Sequence, residues 1–266
     1  MVTDGRKRHV QKEQAKVKAR QEIRAQVMRH KSLGLALEGG VRPDGRQVEK
    51  KRFLIVCEGK NTEPQYFKKL SHAWRLLVDV NVLSAAGAPE QLVNEAIAAK
   101  ERVKDNYYNE VWLVFDKDDI APQVILDARS KAINNGINVA FSNECFELWL
   151  LLHFQDDGWQ VPRRELPAAL DAHLRGYSND KSISDKHFKQ LRATLPDAVR
   201  RACWLDKNKE LDGDLETCPY TSVHELVKTF CSCKTTLPHI QEEIDAIFAN
   251  EEKVFFEGVK RDGGKP

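Results

Sequence analysis

Two apolar runs, each followed at once by acidic residues, constrain the fold of this chain more than any other feature. Residues 53–57 precede Glu58, and residues 111–115 precede Asp116 and Asp118. Strands buried on both faces of a parallel sheet read as short continuous apolar runs, because helices cover both faces. In open α/β sheets, ligands bind in the crevice outside the carboxyl ends of the strands. The sequence therefore predicts a parallel sheet with three carboxylates at one edge.

Apolar and helix-forming segments alternate along residues 50–155. Strands are predicted at residues 53–57, 79–84, 111–115 and 137–141, and helices at residues 64–77, 89–104, 122–135 and 144–154. Strands that alternate with helices in this way form βαβ crossovers, which place the strands in parallel. We therefore predict an α/β fold in which helices flank a mostly parallel sheet.

The strand pattern fades after residue 155. Helices are predicted at residues 164–175, 184–195, 195–208, 222–230 and 239–256, with a polar stretch at residues 212–219. The later half is therefore predicted to be helical throughout. The resulting domain organisation is a helical arm and linker at 1–49, a sheet domain at 50–155, a helical C-terminal region at 156–260 and a disordered tail at 261–266.

The formal net charge of +2 hides an uneven distribution along the chain. Residues 1–52 carry 15 Lys and Arg against 6 Asp and Glu, whereas residues 53–266 carry 27 against 34. A basic arm in front of an acidic domain favours contact between the arm and the phosphate backbone of RNA or DNA. The alternative is a solvated or disordered N-terminus.

The cysteines and the apolar runs indicate in which cellular compartment the protein is expected. None of the six cysteines forms a CxxC pair, which indicates free thiols and a reducing cytoplasm. Nothing at the N-terminus resembles a secretory signal, and the longest strongly apolar run, residues 148–152, is too short to cross a bilayer. We therefore expect a cytoplasmic protein without a membrane partner. The sequence also lacks a GxxxxGK[ST] loop and zinc-ligand spacing, so it supports neither a P-loop ATPase nor a zinc site.

The three carboxylates at the predicted sheet edge are candidate metal ligands and catalytic groups. Carboxylate oxygens suit Mg²⁺ or Mn²⁺, and two such ions can clamp the attacking and leaving oxygens of a phosphodiester. Asp116 and Asp118 share a face if their strand continues, because alternate strand residues point the same way. Glu58 would be a ligand or a proton carrier. Ordinary solvated acids are the alternative for all three.

The segment after Glu58 adds features that suit a phosphate ligand. Gly59 permits a tight turn, and the helix that follows offers backbone N–H groups at its N-terminus. Lys60 is a candidate for positioning a nucleic-acid backbone. Glu63 either belongs to the site or simply complements the helix dipole.

Three further residues are candidates from the later elements. Glu147 lies among apolar neighbours, where an uncompensated carboxylate would be costly to bury, so either a metal or a cationic side chain is expected to meet it. Lys181 and His224 are candidates for binding the substrate phosphate, with structural roles as the alternative.

On these residues the chain resembles the RloB-like family of TOPRIM-fold proteins, which are found in defence loci of bacteria and archaea. The matching stretches are FLIVCEGKNTEPQYF at residues 53–67, VWLVFDKDD at 111–119, SNECFELWLLLHF at 142–154 and, more weakly, PYTSVH at 219–224. The resemblance implies a TOPRIM-like catalytic domain in which Glu58, Asp116 and Asp118 bind Mg²⁺ or Mn²⁺.

The resemblance also implies an abortive-infection effector that cleaves nucleic acid alongside a partner ATPase. We therefore predict a Mg²⁺-dependent endonuclease, with structured RNA such as tRNA as the substrate suggested by analogy and DNA as the other option. A rival interpretation is a catalytically silent subunit that binds nucleic acid or an ATPase. A topoisomerase-like or primase-like enzyme is a further alternative. The sequence leaves the oligomeric state open, with a homo-oligomer as one option.

Overall fold

A computed structural model of the protein describes residues 51–74, 78–84, 87–103, 107–156, 161–207, 220–232 and 242–247. They belong to a compact unit that spans residues 50–266. The basic arm and linker predicted at 1–49 and the disordered tail predicted at 261–266 lie outside the described residues, and both stay predictions. No helix in the described ranges is long and apolar enough to cross a membrane.

Four parallel strands form the centre of the sheet. They are β1 (Lys51–Cys57), β2 (Val78–Ser84), β3 (Glu110–Asp116) and β4 (Asn138–Asn143), in the spatial order β2-β1-β3-β4. Residues 53–57 and 111–115 are buried throughout, as expected for strands covered on both faces. The mixed α/β fold with a mostly parallel sheet is therefore confirmed.

A fifth strand corrects one part of the prediction. β5 (Tyr220–Thr221) pairs antiparallel with β4, in the region that the sequence pattern predicted to be helical throughout. Two residues are too few to produce an alternating pattern, so only pairing with Ser142 and Asn143 defines this strand.

Three helices connect the parallel strands. They are α1 (Thr62–Ala73), α2 (Pro89–Glu101) and α3 (Pro122–Asn134). Pro89 and Pro122 open their helices as expected, since the first helical N–H has no partner within the helix. α1 begins at Thr62, two residues earlier than predicted, and Pro64 is tolerated because its first turn has no internal N–H bonds either.

The later half consists of short helices. They are α4 (Glu147–Leu151), a 3₁₀ helix (Arg163–Glu165), α5 (Leu166–Asp171), α6 (Tyr177–Asp180), α7 (Asp185–Ala193), α8 (Leu195–Lys207) and α9 (Val223–Cys231), and residues 242–247 are also helical. The helix predicted at 144–154 is shorter than expected, and residues 144–146 precede α4 as a connecting segment. The helix predicted at 164–175 ends early, at Asp171.

One hydrophobic core joins the sheet to these helices. All five residues of α4 are buried, and the ring of Phe53 in β1 lies 4.9 Å from that of Phe230 in α9. The four cysteines within the described ranges are buried and free; they are Cys57, Cys145, Cys203 and Cys231. The shared core holds the carboxyl ends of β1 and β3 against α4.

Candidate functional site

A cavity of about 680 Å³ lies where β1 and β3 end. Six of the residues predicted from the sequence line it, namely Glu58, Lys60, Asp116, Asp118, Glu147 and Lys181. The lining also includes Gly59, Glu63, Cys145, Arg163 and Arg164. The strand order explains the meeting of the acids, because β1 and β3 are neighbours and both run toward this edge.

Glu58 and Asp116 are linked directly. The backbone N–H of Glu58 donates to the carbonyl of Val114 at 3.0 Å, which extends the β1–β3 ladder by one residue. The backbone N–H of Asp116 in turn donates to Oε2 of Glu58 at 3.2 Å. Partial burial raises the pKa of Glu58, and the charge of Asp118 adds to this, while the Asp116 N–H and the Arg163 guanidinium oppose it.

Asp116 carries the least satisfied carboxylate of the cavity. Its Oδ1 is shielded from solvent and has no hydrogen-bond partner among the described residues. Burial raises the pKa of Asp116, and the charges of Glu63, Glu147 and Glu58 add to this effect against a hydrogen bond from the Phe146 N–H. A carboxylate in this position favours a bound proton or a cation.

Asp118 reaches the cavity from a loop and not from a strand. β3 ends at Asp116, and Asp118 has a φ of 46°, in the left-handed region that Asp tolerates better than most residues. Its N–H donates to the carbonyl of Glu144 at 3.2 Å. Strand alternation would have placed both Asp residues on one face if the strand continued; the strand ends at Asp116, and Asp118 lines the same cavity through the loop instead. Asp118 forms an ion pair with Arg163.

Glu63 is a site residue whose role the sequence analysis left open. Its side chain is buried, and a Cβ placed on Gly59 would lie 2.1 Å from its Oε2. Burial raises the pKa of Glu63 to about 7; its own N–H and that of Gly59 oppose the shift, while the charges of Glu147 and Glu58 add to it. One sequence signal pointed to Glu63 as a site residue: it lies four residues after Gly59, at the start of a helix.

Glu147 is paired with a cation, which was one of the two alternatives. Lys181 Nζ lies 3.0 Å from Glu147 Oε1, and the Tyr177 hydroxyl donates to the same oxygen at 3.2 Å. Thr62 Oγ1 lies 3.1 Å from the Tyr177 hydroxyl and donates to the Lys181 carbonyl at 2.6 Å. Although burial raises the pKa of Glu147, its hydrogen bonds and the Lys181 ion pair outweigh this and lower it overall.

His224 is not brought to the cavity. It is 1% exposed at the start of α9, where its Nδ1 lies 3.1 Å from the Thr221 carbonyl and its Nε2 lies 3.0 Å from Glu225. The pKa of Glu225 is lowered to about 2, mainly by its hydrogen bond with His224. The structure thus gives His224 a place in the packing between β5 and α9, away from the substrate site proposed for it.

The described side chains do not form a ready metal-binding cluster. No group of three or more His, Cys, Asp or Glu in the described ranges is arranged to hold an ion as it stands. Two of the acids already have cationic partners, since Arg163 meets Asp118 and Lys181 meets Glu147. Asp116, Glu58 and Glu63 are the lining carboxylates without an ion pair within the described ranges.

Comparison with known proteins identifies the family. A family model described as RloB-like protein matches residues 53–230, which cover the sheet from Phe53 onward, the cavity and α9 as far as Phe230. The chain belongs to the RloB-like family. No curated protein and no solved structure matches the chain. The matched range contains every lining residue of the cavity.

Proposed function

We propose that this RloB-like protein is a Mg²⁺-dependent endonuclease of the TOPRIM type. The observation that carries the proposal is the buried Oδ1 of Asp116, which lies without a partner in a cavity lined by the strand-end acids. Phosphodiester cleavage requires charge stabilisation where negative charge develops, and carboxylates that recruit divalent cations supply it.

The donor chemistry of the cavity suits Mg²⁺ or Mn²⁺, although the acids would have to move to gather around one ion. Hard divalent cations take oxygen ligands, and the cavity offers carboxylates from the residue after β1, the end of β3 and α1. The unpartnered Oδ1 of Asp116 is an oxygen that a cation would satisfy. Asp116 and Glu58 would hold the ion, with Asp118 joining once it is released from Arg163. Glu147 is left out of this set, because Lys181 and Tyr177 already occupy its Oε1.

The bound ion would polarise the phosphodiester and activate the attacking water. Glu58 has two alternative tasks. If it does not bind the ion, it is the acid–base candidate, since its raised pKa lets it exchange a proton nearer to neutral pH than a free carboxyl. Glu63 lies in the same cavity and has a pKa of about 7, so it is a second residue able to hold a proton there.

The proposed substrate is nucleic acid. Lys60 is exposed at the cavity and Lys181 reaches into it, and both can contact a phosphate backbone. The basic residues 1–52 would add contacts through their charge. RNA such as tRNA is the favoured substrate and DNA the alternative. By family resemblance the protein would act as an effector in antiviral or abortive-infection defence, alongside a partner ATPase.

A second candidate function has its own support. The cationic partners of Asp118 and Glu147, and the lack of a ready three-ligand cluster in the described ranges, favour a catalytically silent subunit that binds nucleic acid or an ATPase. Such a subunit would keep its binding partners when Asp116 is replaced.

The deciding experiment compares cleavage of labelled tRNA, single-stranded DNA and duplex DNA with and without Mg²⁺ or Mn²⁺. The endonuclease proposal expects metal-dependent cleavage that falls at least about 100-fold in Glu58→Ala and Asp116→Ala. Asp119→Ala is the matched control, because its side chain is fully exposed and does not line the cavity. Equal cleavage by all variants would reject the assignment, and binding without cleavage would favour the silent subunit.

A further inference from the structure

Arg163 occupies the position where a cation would approach Asp118. Its Nη2 contacts Asp118 Oδ1, and its Nη1 lies 3.9 Å from Asp119 Oδ2. The sequence analysis did not single out this residue. Because a guanidinium does not lose its proton under physiological conditions, Arg163 can leave Asp118 only by moving.

The two ion pairs in the cavity differ in how firmly they are held. The Lys181 backbone accepts a hydrogen bond from Thr62 and donates one to the Tyr177 carbonyl at 2.8 Å, and its carboxylate partner Glu147 is buried. The Lys181 side chain is itself 55% exposed and that of Arg163 38%, so the difference lies in the carboxylates: Asp118 is 35% exposed, whereas Glu147 is 8% exposed and also accepts from Tyr177. Within the described ranges, Asp118 and Asp119 are the ion-pair partners of Arg163.

The charges around the cavity also favour exchange. Five carboxylates and four cationic side chains line it, so a divalent ion would be bound more favourably if one of the cationic side chains moved away from its carboxylate. An ion bound at Asp118 would repel a guanidinium on the same oxygen. A phosphate group in the cavity would attract it, because guanidinium forms paired hydrogen bonds with phosphate oxygens.

We propose that Arg163 is an exchangeable counter-ion of the cavity. It neutralises Asp118 when no divalent cation is bound, and it turns to a substrate phosphate when a cation takes Asp118. This inference rests on the proposed metal-dependent function and deepens it. Metal and substrate phosphate then favour each other's binding, since each stabilises the arrangement in which Arg163 has left Asp118.

The first test measures divalent-cation binding by calorimetry, with the full chain and without nucleic acid. Arg163→Gln removes the competitor, so it is expected to bind Mg²⁺ and Mn²⁺ about 5-fold tighter or more. Arg164→Gln is the matched control, because Arg164 lines the same cavity but pairs with Glu165. It reports the general effect of losing one positive charge, which is expected to be about 2-fold or less at an exposed position.

The second test measures binding of labelled tRNA by fluorescence anisotropy, in EDTA and in Ca²⁺, with a gel to check that the RNA stays intact. In Ca²⁺, Arg163→Gln is expected to weaken binding and to lower the slope of log K against log salt by about one relative to the parent. In EDTA the two proteins are expected to bind alike, because Arg163 is then held by Asp118.

The outcomes separate the two proposals. If the parent binds no divalent cation, both the endonuclease function and the exchange are overturned. If the parent binds the cation and Arg163→Gln binds it no tighter than Arg164→Gln, the exchange alone is overturned and the metal-dependent function stands. Equal loss of RNA binding in EDTA and in Ca²⁺ would also overturn the exchange, since it would make Arg163 a permanent phosphate contact.

Discussion

The backbone N–H of Asp116 donates a hydrogen bond of 3.2 Å to the side chain of Glu58. This bond ties the end of β3 to the first residue after β1, so the two acids are placed relative to each other by the sheet. It also leaves the Asp116 side chain free to face the cavity, where its Oδ1 has no partner within the described ranges.

Asp116→Asn is expected to stabilise the fold and, under the proposed function, to abolish cleavage. Burial raises the pKa of Asp116 in the folded protein above that in the unfolded chain, so at pH 8 keeping this carboxyl in the fold costs free energy that the uncharged amide avoids. The free energy of unfolding at pH 8 should rise by about 1 kcal/mol, as is common when a functional charge is removed. Near pH 4 the gain should shrink, because the parent carboxyl is then protonated in the fold. Urea unfolding at both pH values measures this, and a loss of stability at pH 8 would contradict it.

Gly59→Ala is expected to destabilise the protein through Glu63. The added methyl would lie 2.1 Å from the Glu63 carboxylate, so this flexible side chain must turn away from its buried position and give up its hydrogen bonds with its own N–H and that of Gly59. The loss of such hydrogen bonds costs about 0.5–1.5 kcal/mol. Glu63→Ala should relieve the clash, so a double-mutant cycle measured by chemical denaturation should give a clearly favourable coupling. Additive effects of the two substitutions would mean that Gly59 is needed for another reason.

Lys181→Met is expected to destabilise the protein in a pH-dependent way. At pH 8 the buried Glu147 would lose its cation, at a cost of about 1–3 kcal/mol. With Lys181 present the pKa of Glu147 is lowered, so this stabilisation exists above the unfolded pKa of about 4.5 and is lost as pH falls through the folded pKa. The difference in unfolding free energy between Lys181→Met and the parent should therefore shrink as pH falls below about 4.5. Lys60→Met is the matched control at an exposed position of the same cavity, and an equal effect of both substitutions would refute the prediction.

His153 is expected to make the fold sensitive to acid. It is 1% exposed, and burial lowers its pKa to about 3, against the hydrogen bond with the Leu191 carbonyl. In the unfolded chain the imidazole of His153 takes up a proton below about pH 6.5, whereas in the folded chain its burial opposes protonation until about pH 3. The free energy of unfolding therefore falls as pH drops from about 6.5 toward 3, by at most about 1.4 kcal/mol per pH unit. His153→Gln should flatten the curve over this window, as measured by thermal unfolding at a series of pH values. The exposed His72→Gln serves as the control, and identical curves for His153→Gln and the parent would rule the effect out.

The parallel strands and the edge where their acids meet were readable from the sequence. Residues 53–57 and 111–115 are apolar without a break, as strands covered on both faces are, and the alternation with helical segments separates them from the apolar run at 148–152, most of which lies in helix α4. Once the strands are parallel, Glu58 and Asp116 must leave the sheet at the same edge. Local pattern and strand geometry are enough for that conclusion, and for the first residues of α2 and α3, because proline marks where each helix starts; α2 ends at Glu101, three residues earlier than predicted.

The partners of the site residues were decided by the tertiary structure alone. Lys181 and Glu147, Arg163 and Asp118, and Gly59 and the carboxylate of Glu63 are brought together by packing. The Lys181–Glu147 and Arg163–Asp118 pairs join residues that are far apart in the chain, and a local sequence pattern cannot predict such contacts. The left-handed turn at Asp118 and the two-residue β5 likewise depend on bonds to the segment around β4. The sequence by itself determined which strands carry acids to the cavity, while long-range packing decided which of those acids are neutralised by a neighbouring cation and which remain open to a ligand.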